Sequence, residues 1–474
     1  MNVLIISTNR NQFPMPVIPL GACMVAEAAA RAGHKARLLD LIYQVDPVGA
    51  VRRELEKENP DVVGLSVRNI DNNDCGSPEF FVKDLLPLMD TVRALTPAPV
   101  VLGGAAVSVM PEELLRFTGA DWAVLGDGEA IFPRFLEELP KGSPKTIPGV
   151  AWVEEGAFHH NPSVTNRKGC LCDVPEFYRY IDVRAYLRRF STMPIQTKLG
   201  CQFSCVYCTY RKIEGSGYRL SDPEEVVDNV RRLTSEGFRN IEFVDNVFNA
   251  PYGHALDICR GLMRVRSRAS LQSIELNPLL IDEDLISAME RAGFSGVGVT
   301  VESASGSVLE GLGKGFSVDH VYKAATVIGR HAIPCVWIFM MGGPNETRET
   351  VRETLRFAET VIRPKDAAFF GIGIRIYPGT GLDSIARNQG LLSLTPAEML
   401  EPVFYLSPTV EYSWMLRQVK NSMNEHMNFM SSESLSMRLL PAIHRLAYRL
   451  GVRSPLWRHT HTIRRGLRFF GMEV

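Results

Sequence analysis

Three cysteines fall within eight residues of one another. In the stretch T-K-L-G-C-Q-F-S-C-V-Y-C-T-Y they are Cys201, Cys205 and Cys208, spaced C-x3-C-x2-C, with Tyr207 just before the last. Three thiolates on one tight loop suit a soft metal centre. A structural zinc takes four protein ligands in a closed tetrahedron, and no fourth cysteine or histidine follows nearby. A 4Fe–4S cluster held by three cysteines departs from the usual four and leaves one iron open to a substrate or cofactor. The alternatives are three free buried cysteines, or a zinc loop completed from elsewhere.

The segment around the loop narrows the choice. Entered from a strand, C-x3-C-x-aromatic-C resembles the signature of the radical S-adenosylmethionine (radical SAM) superfamily. The resemblance implies that Cys201, Cys205 and Cys208 ligate a 4Fe–4S cluster, with Tyr207 beside it. The open iron would chelate the amino and carboxylate groups of SAM.

Six strands can be read from 191 to 395: Ile195–Leu199, Asn240–Asp245, Leu271–Asn277, Gly296–Glu302, Cys335–Met341 and Phe369–Tyr377. Helical segments separate them, so the pattern predicts a parallel, partly open (β/α)6 barrel with its chemistry at the carboxyl strand ends. Those ends carry, in order, the cysteine loop, Asp245, Glu275 with Asn277, Glu302 with Ser303, Gly342-Gly343 ahead of Glu346, and R-I-Y-P-G-T. By the resemblance, Asp245 meets the methionine amino group of SAM. Glu275 and Asn277 meet its ribose or the substrate, T-V-E-S supplies Glu302 and Ser303, and the glycines admit adenine or methionine. G-L-G-K-G at 311–315 lacks phosphate-loop spacing and reads as an ordinary loop.

The first 140 residues alternate near-continuous apolar strands with amphipathic helices, which predicts a doubly wound parallel sheet. Ligands on such sheets sit beyond the carboxyl ends of the strands. No G-x-G-x-x-G follows the first strand, so a dinucleotide is not expected. This half resembles the cobalamin-binding domain fused to one branch of radical SAM enzymes, through Pro19-Leu20-Gly21, Ala32-Gly33-His34, Asp40, Ser66, Gly103-Gly104 and Gly126-Asp127-Gly128-Glu129. The D-x-H-x-x-G element that gives cobalt a histidine in other cobalamin proteins is missing. By the resemblance, cobalamin would lie at Ser66, Gly103, Gly104, Gly126 and Glu129, with Arg68 the candidate beneath the corrin.

Residues 141–190 have the Pro/Gly/Ser density of a linker around a short hairpin. It holds His159-His160 and a C-x-C pair, Cys170 and Cys172, read as incidental rather than metal-binding. From 396 to 474 a helical region is expected to cap the barrel or meet the substrate. Met423, Met427 and Met430 share a helical face there, and eight arginines between 438 and 468 face no acid. That basic, apolar mixture suits a barrel cap or peripheral contact with an anionic membrane.

Net charge is −1 over 474 residues with 9 cysteines, which argues for no particular partner and no nucleic acid, and suits a reducing cytoplasm. No apolar run spans a bilayer and no signal peptide is evident. The resemblance implies an α/β enzyme that methylates a poorly activated carbon of a small-molecule or lipid-like substrate. One SAM would methylate cobalamin, and another would yield a 5′-deoxyadenosyl radical with electrons from a flavodoxin or ferredoxin. Ring formation or rearrangement with the same cofactors is the alternative. A non-catalytic iron–sulfur or cobalamin-binding sensor is the alternative of another class.

Overall fold

The computed structural model describes residues 1–162, 174–432, 435–452 and 454–471, with the side chains of 435–438 left out. Cys170 and Cys172 lie outside these. The first sheet has seven strands: β1 (Asn2–Ser7), β2 (Lys35–Asp40), β3 (Val62–Ser66), β4 (Val100–Gly103), β5 (Trp122–Val124), β6 (Val150–Glu154) and β7 (Ala157–His160). Their order is β2-β1-β3-β4-β5-β6-β7. The five parallel strands have the 2-1-3-4-5 order of a doubly wound sheet. The hairpin within 141–190 joins that sheet: β6 pairs antiparallel with β5, so the sheet runs on to His160.

The second half contains β8 (Met193–Ile195), β9 (Lys198–Leu199), β10 (Arg219–Leu220), β11 (Asn240–Phe243), β12 (Ser270–Leu276), β13 (Phe294–Glu302), β14 (Cys335–Met341), β15 (Ala367–Ile372), β16 (Ile374–Arg375), β17 (Phe404–Tyr405) and β18 (Phe429–Ser431). One parallel sheet, β18-β15-β14-β13-β12-β11-β8, forms the open barrel. The helices between strands begin where their sequences cap. Asp222 accepts from Glu224 N at 2.9 Å, Asp282 from Leu285 N at 2.9 Å, and Thr347 and Thr350 form a capping box.

Three local expectations are corrected. The first barrel strand is broken at 196–197, because Asp245 draws the Thr197 N–H out of the ladder at 2.7 Å. The last is broken at Gly373, whose φ is +83° and where a Cβ would sit 2.7 Å from Cys75 Cβ. The methionines are not one helical face: helix Tyr412–Glu425 ends before Met427, and Met430 lies in β18, the barrel's seventh strand.

The halves share their cores, since each of the two large buried apolar clusters draws on both. Buried polar contacts lock the seam. Arg375 Nε donates to Asp71 at 2.7 Å, Tyr186 Oη to Asp40 at 2.5 Å, and Arg219 pairs with Asp127. No helix among the described residues is long and apolar enough to cross a membrane.

Candidate active site between the two sheets

Strands β1, β3, β4 and β5 end together at a cavity of about 260 Å³. Sequence makes the room. A Cβ at Gly21 or Gly103 would meet no protein atom within 4 Å, and at Gly104 (φ +99°) it would lie 2.5 Å from Val67 O. Ser66, Gly126 and Glu129 complete this wall, and Gly126 N donates to Ser108 Oγ at 3.0 Å. The opposite wall is barrel: Gln196, Leu199, Ile213 and Glu214. Helix Ala105–Val109, which follows β4, packs on helix Tyr210–Glu214, which follows the cysteines. Arg68 is exposed to the cleft beside this helix, and enclosure there lowers its pKa while nearby Tyr210 opposes the shift.

The cysteine loop leaves β9 through Gly200, at φ +88°, where a Cβ would strike Gly217 O. Cys201 is buried, Cys205 and Cys208 half-buried, and all three are free thiols. Backbone bonds fix the loop, Val206 N to Leu312 O at 3.0 Å and Leu382 N to Val206 O at 2.8 Å. Gly313 and Gly381 let neighbouring backbone close on it: a Cβ at either would stand 3.1 Å from Ser204 O or Val206 Cβ. Burial pushes the thiols up, Cys208 to about 12, while the Lys314 charge opposes this at Cys205 and Cys208.

Behind the loop lies a buried triangle. Tyr207 Oη donates to Glu302 Oε1 at 2.7 Å, and Lys314 Nζ donates to Glu302 Oε1 at 2.9 Å and Tyr207 Oη at 3.1 Å. Burial lowers the Lys314 pKa, but Glu302 and Cys205 outweigh it and the net direction is up. Glu302 holds φ +64° where the β13–β14 register shifts, a strained conformation for a non-glycine residue. Glu275 stands at the neighbouring strand end, pushed to about 8 by burial and then by the Glu302 charge. A bulge in β12 aims it, accommodated by Gly298, whose Cβ would lie 2.5 Å from Ile274 O.

Two family models match this arrangement, B12 binding domain over residues 6–136 and Radical SAM superfamily over 195–358. The chain belongs to the cobalamin-binding radical SAM superfamily. The tryptophan 2-C-methyltransferase of Streptomyces laurentii is 25% identical over 455 residues, covering 80% of this chain and 74% of that one. An uncharacterised methyltransferase of Pyrococcus horikoshii is 29% identical over 389 residues, covering 79% of each. The fold matches the radical SAM methyltransferase TsrM of Kitasatospora setae, solved with cobalamin and a 4Fe–4S cluster. The TM-score is 0.85, at 22% identity over 99% of both chains.

The cofactors of this radical SAM protein are therefore a 4Fe–4S cluster, SAM and cobalamin, and the residues present fit them. Three free thiols share a loop braced by glycines, with the Lys314 cation near two of them. The first sheet's cavity is lined by glycines that leave its floor open, and no histidine lines it.

The structure brings Tyr207, Glu302 and Glu275 together beside the cysteines. It withdraws others of the expected residues. Asp245 is fully buried and its carboxylate is occupied, accepting from Thr197 N and Oγ1 at 2.7 Å each and from Lys198 N at 3.2 Å, with Lys198 Nζ at 3.4 Å. Asn277 caps the short helix Pro278–Leu280 through Leu279 N at 2.9 Å. Ser303 is tied to Thr354 Oγ1 at 3.0 Å and to Ser305 N at 3.1 Å. Gly342 and Gly343 face Leu406 and Leu312 side chains rather than open space.

Sequence reasoning missed Lys314, Glu214 and Arg219. The first two had readable signals: a lysine inside G-L-G-K-G, and an acid six residues beyond the last cysteine. Glu214 joins both halves of the site. It accepts from Gly200 N at 2.9 Å and Asn246 Nδ2 at 3.0 Å while lining the cobalamin-side cavity.

Proposed function

We propose that this protein uses cobalamin and radical SAM chemistry to methylate a carbon of a small, largely apolar molecule. One observation carries the reading: the carboxyl ends of the first sheet's strands and the segments flanking the cysteine loop, Gln196, Leu199, Ile213 and Glu214, wall a single cavity. The methyltransferases similar to it over most of its length support it. When bound, the cluster and SAM supply a hydrogen-abstracting radical and cobalamin supplies the methyl carrier. Cys201, Cys205 and Cys208 hold the cluster. Lys314, paired to Glu302 and Tyr207, keeps a buried positive charge beside the loop. Glu275, with its proton retained to about pH 8, offers a hydrogen-bond donor at the strand end for SAM or substrate. Ser66, Gly103, Gly104, Gly126 and Glu129 receive cobalamin, and Arg68 stands at its face. The closed seam between halves excludes water and fixes the approach of the two cofactors.

SAM carrying a deuterated methyl group tests the reading. The product should gain the whole label, and a further SAM should appear as 5′-deoxyadenosine each turnover. Product with no SAM-derived carbon would favour ring formation or rearrangement. The cytoplasm, with flavodoxin or ferredoxin as donor, suits its free thiols. Peripheral contact with an anionic membrane is supported by exposed Leu446, Leu450, Phe469 and Phe470 interspersed with exposed Arg445, Arg449 and Arg465. Arg464 and Arg468 serve instead to cap backbone carbonyls at 423, 424, 426 and 429.

A further inference from the structure

A second chamber, of about 360 Å³, lies inside the barrel among side chains of β11, β12, β14, β15 and β18. The interior of a parallel barrel is normally filled by layers of branched apolar side chains. Here one layer reads Glu242, Gln272, Gly296 across three adjacent strands in register. Gly296 adds no side chain, and a Cβ there would lie 2.8 Å from the ring of Trp457. Trp457 and Pro455 therefore enter from the C-terminal segment and close the amino end of the barrel, opposite the cysteine loop. Helix Leu435–Arg449 adds Ile443 and His444 from the side, and Phe13 and Met15 reach in from the loop after β1.

Glu242 is the anomaly of this chamber. It is only 6% exposed, and buried carboxylates are ordinarily paired with a cation. Thr192 Oγ1 at 2.5 Å and Gln272 Nε2 at 2.9 Å both donate to its Oε2, leaving Oε1 without a partner among the described residues. Gln272 is 4% exposed, and its Oε1 is also without one. No described basic side chain acts on Glu242: Arg464, on the chamber's lining, turns its guanidinium to the carbonyls of His426, Phe429 and Met423. Burial raises the Glu242 pKa, so its carboxyl keeps a proton in the empty chamber and takes on charge as an acceptor only when a cation enters.

We propose that this chamber binds the apolar body of an amine, with its N–H donors on Glu242 and Gln272. The proposal rests on the chamber's own geometry and not on the methyltransferase reading.

The reconstituted holoenzyme is titrated with 1-naphthylmethylamine, 1-naphthylmethanol and 1-naphthoate, by calorimetry and by quenching of tryptophan fluorescence. The amine should bind at least about tenfold tighter than the alcohol, as a charge-assisted hydrogen bond requires, and the carboxylate should not bind. Trp457→Phe should remove the quenching, Glu242→Gln should erase the preference for amine, and Ile338→Phe should weaken amine and alcohol alike by filling the space. Equal affinities in the unaltered protein, tightest binding of the carboxylate, or a preference that survives Glu242→Gln would overturn the assignment. Naphthylmethylamine bound as expected beside a failed methyl-label experiment would sink the methyltransferase reading alone. Label transfer without amine binding would sink the chamber alone.

Discussion

Breaking the Asp71–Arg375 pair should both destabilise the protein and uncouple its halves. The two side chains are 0% and 3% exposed. Arg375 donates through Nε to Asp71 Oδ2, through Nη1 to Ile376 O and through Nη2 to Met399 O, each at 2.7 Å. Asp71 also accepts from Asn73 N at 2.9 Å. Arg375→Met leaves a buried carboxylate with that one amide, and Asp71→Asn leaves a buried guanidinium on neutral carbonyls. Each should cost about 3–5 kcal/mol, the penalty for stranding one partner of a buried pair. The double variant strands no charge and loses chiefly hydrogen bonds at about 1 kcal/mol each. It should therefore fall at least about 2 kcal/mol short of the summed single effects. Urea unfolding of the four apoproteins, followed by circular dichroism, gives the cycle. Because the pair ties the loop after β3 to β16, each single variant should keep its iron–sulfur absorbance yet lose methyl transfer. Single effects below about 1 kcal/mol, or additivity within about 0.5 kcal/mol, would refute the reasoning.

Alanine at Cys201, Cys205 or Cys208 should abolish the iron–sulfur absorbance of anaerobically reconstituted protein, whereas alanine at Cys170, Cys172 or buried Cys259 should preserve it. Paramagnetic resonance of the Co(II) state should show no nitrogen superhyperfine splitting, since no histidine lines the cavity at the first sheet; splitting from an axial imidazole would contradict this. Burial holds the Glu214 carboxyl near pH 7 against an ordinary 4.5, with the Gly200 amide opposing. The folded apoprotein then keeps a proton that the unfolded chain has lost. This group's contribution is full below pH 4.5 and falls by about 3 kcal/mol as pH rises to 7. Comparing apoprotein stability at pH 5 and 7.5 should show a loss of about 2.4 kcal/mol from this group in the native sequence and not in Glu214→Gln.

Elements were legible where pattern and caps agreed. Helix Pro223–Ser235 begins one residue after Asp222, and β14 falls on the apolar run Cys335–Met341. The cysteine loop was legible because three like residues in eight have few structural explanations. Side-chain roles at strand ends were not. Asp245, Asn277 and Ser303 stand at the carboxyl strand ends, but each has local donors within one or two residues or across one strand, and local bonds win. Lys314 is the converse case. Its partner Glu302 is twelve residues away across a strained turn, and no periodicity announces such a pairing. Strand β18 escaped because three residues carry too little alternation to separate a strand from the end of a helix.

That short strand bears on how the molecule is made. β18 pairs with β15 at Ala368, Phe369 and Phe370, and Phe429 and Phe370 are both fully buried. Until residue 431 has been synthesised and docked, β15 is an apolar parallel strand with its ladder open on one side. Such a rim recruits other chains. The nascent protein therefore passes through a sticky stage that ends only when Phe429–Ser431 has emerged and docked on β15. A chain truncated near residue 425 should be recovered in aggregates, however complete its cofactor-binding loops.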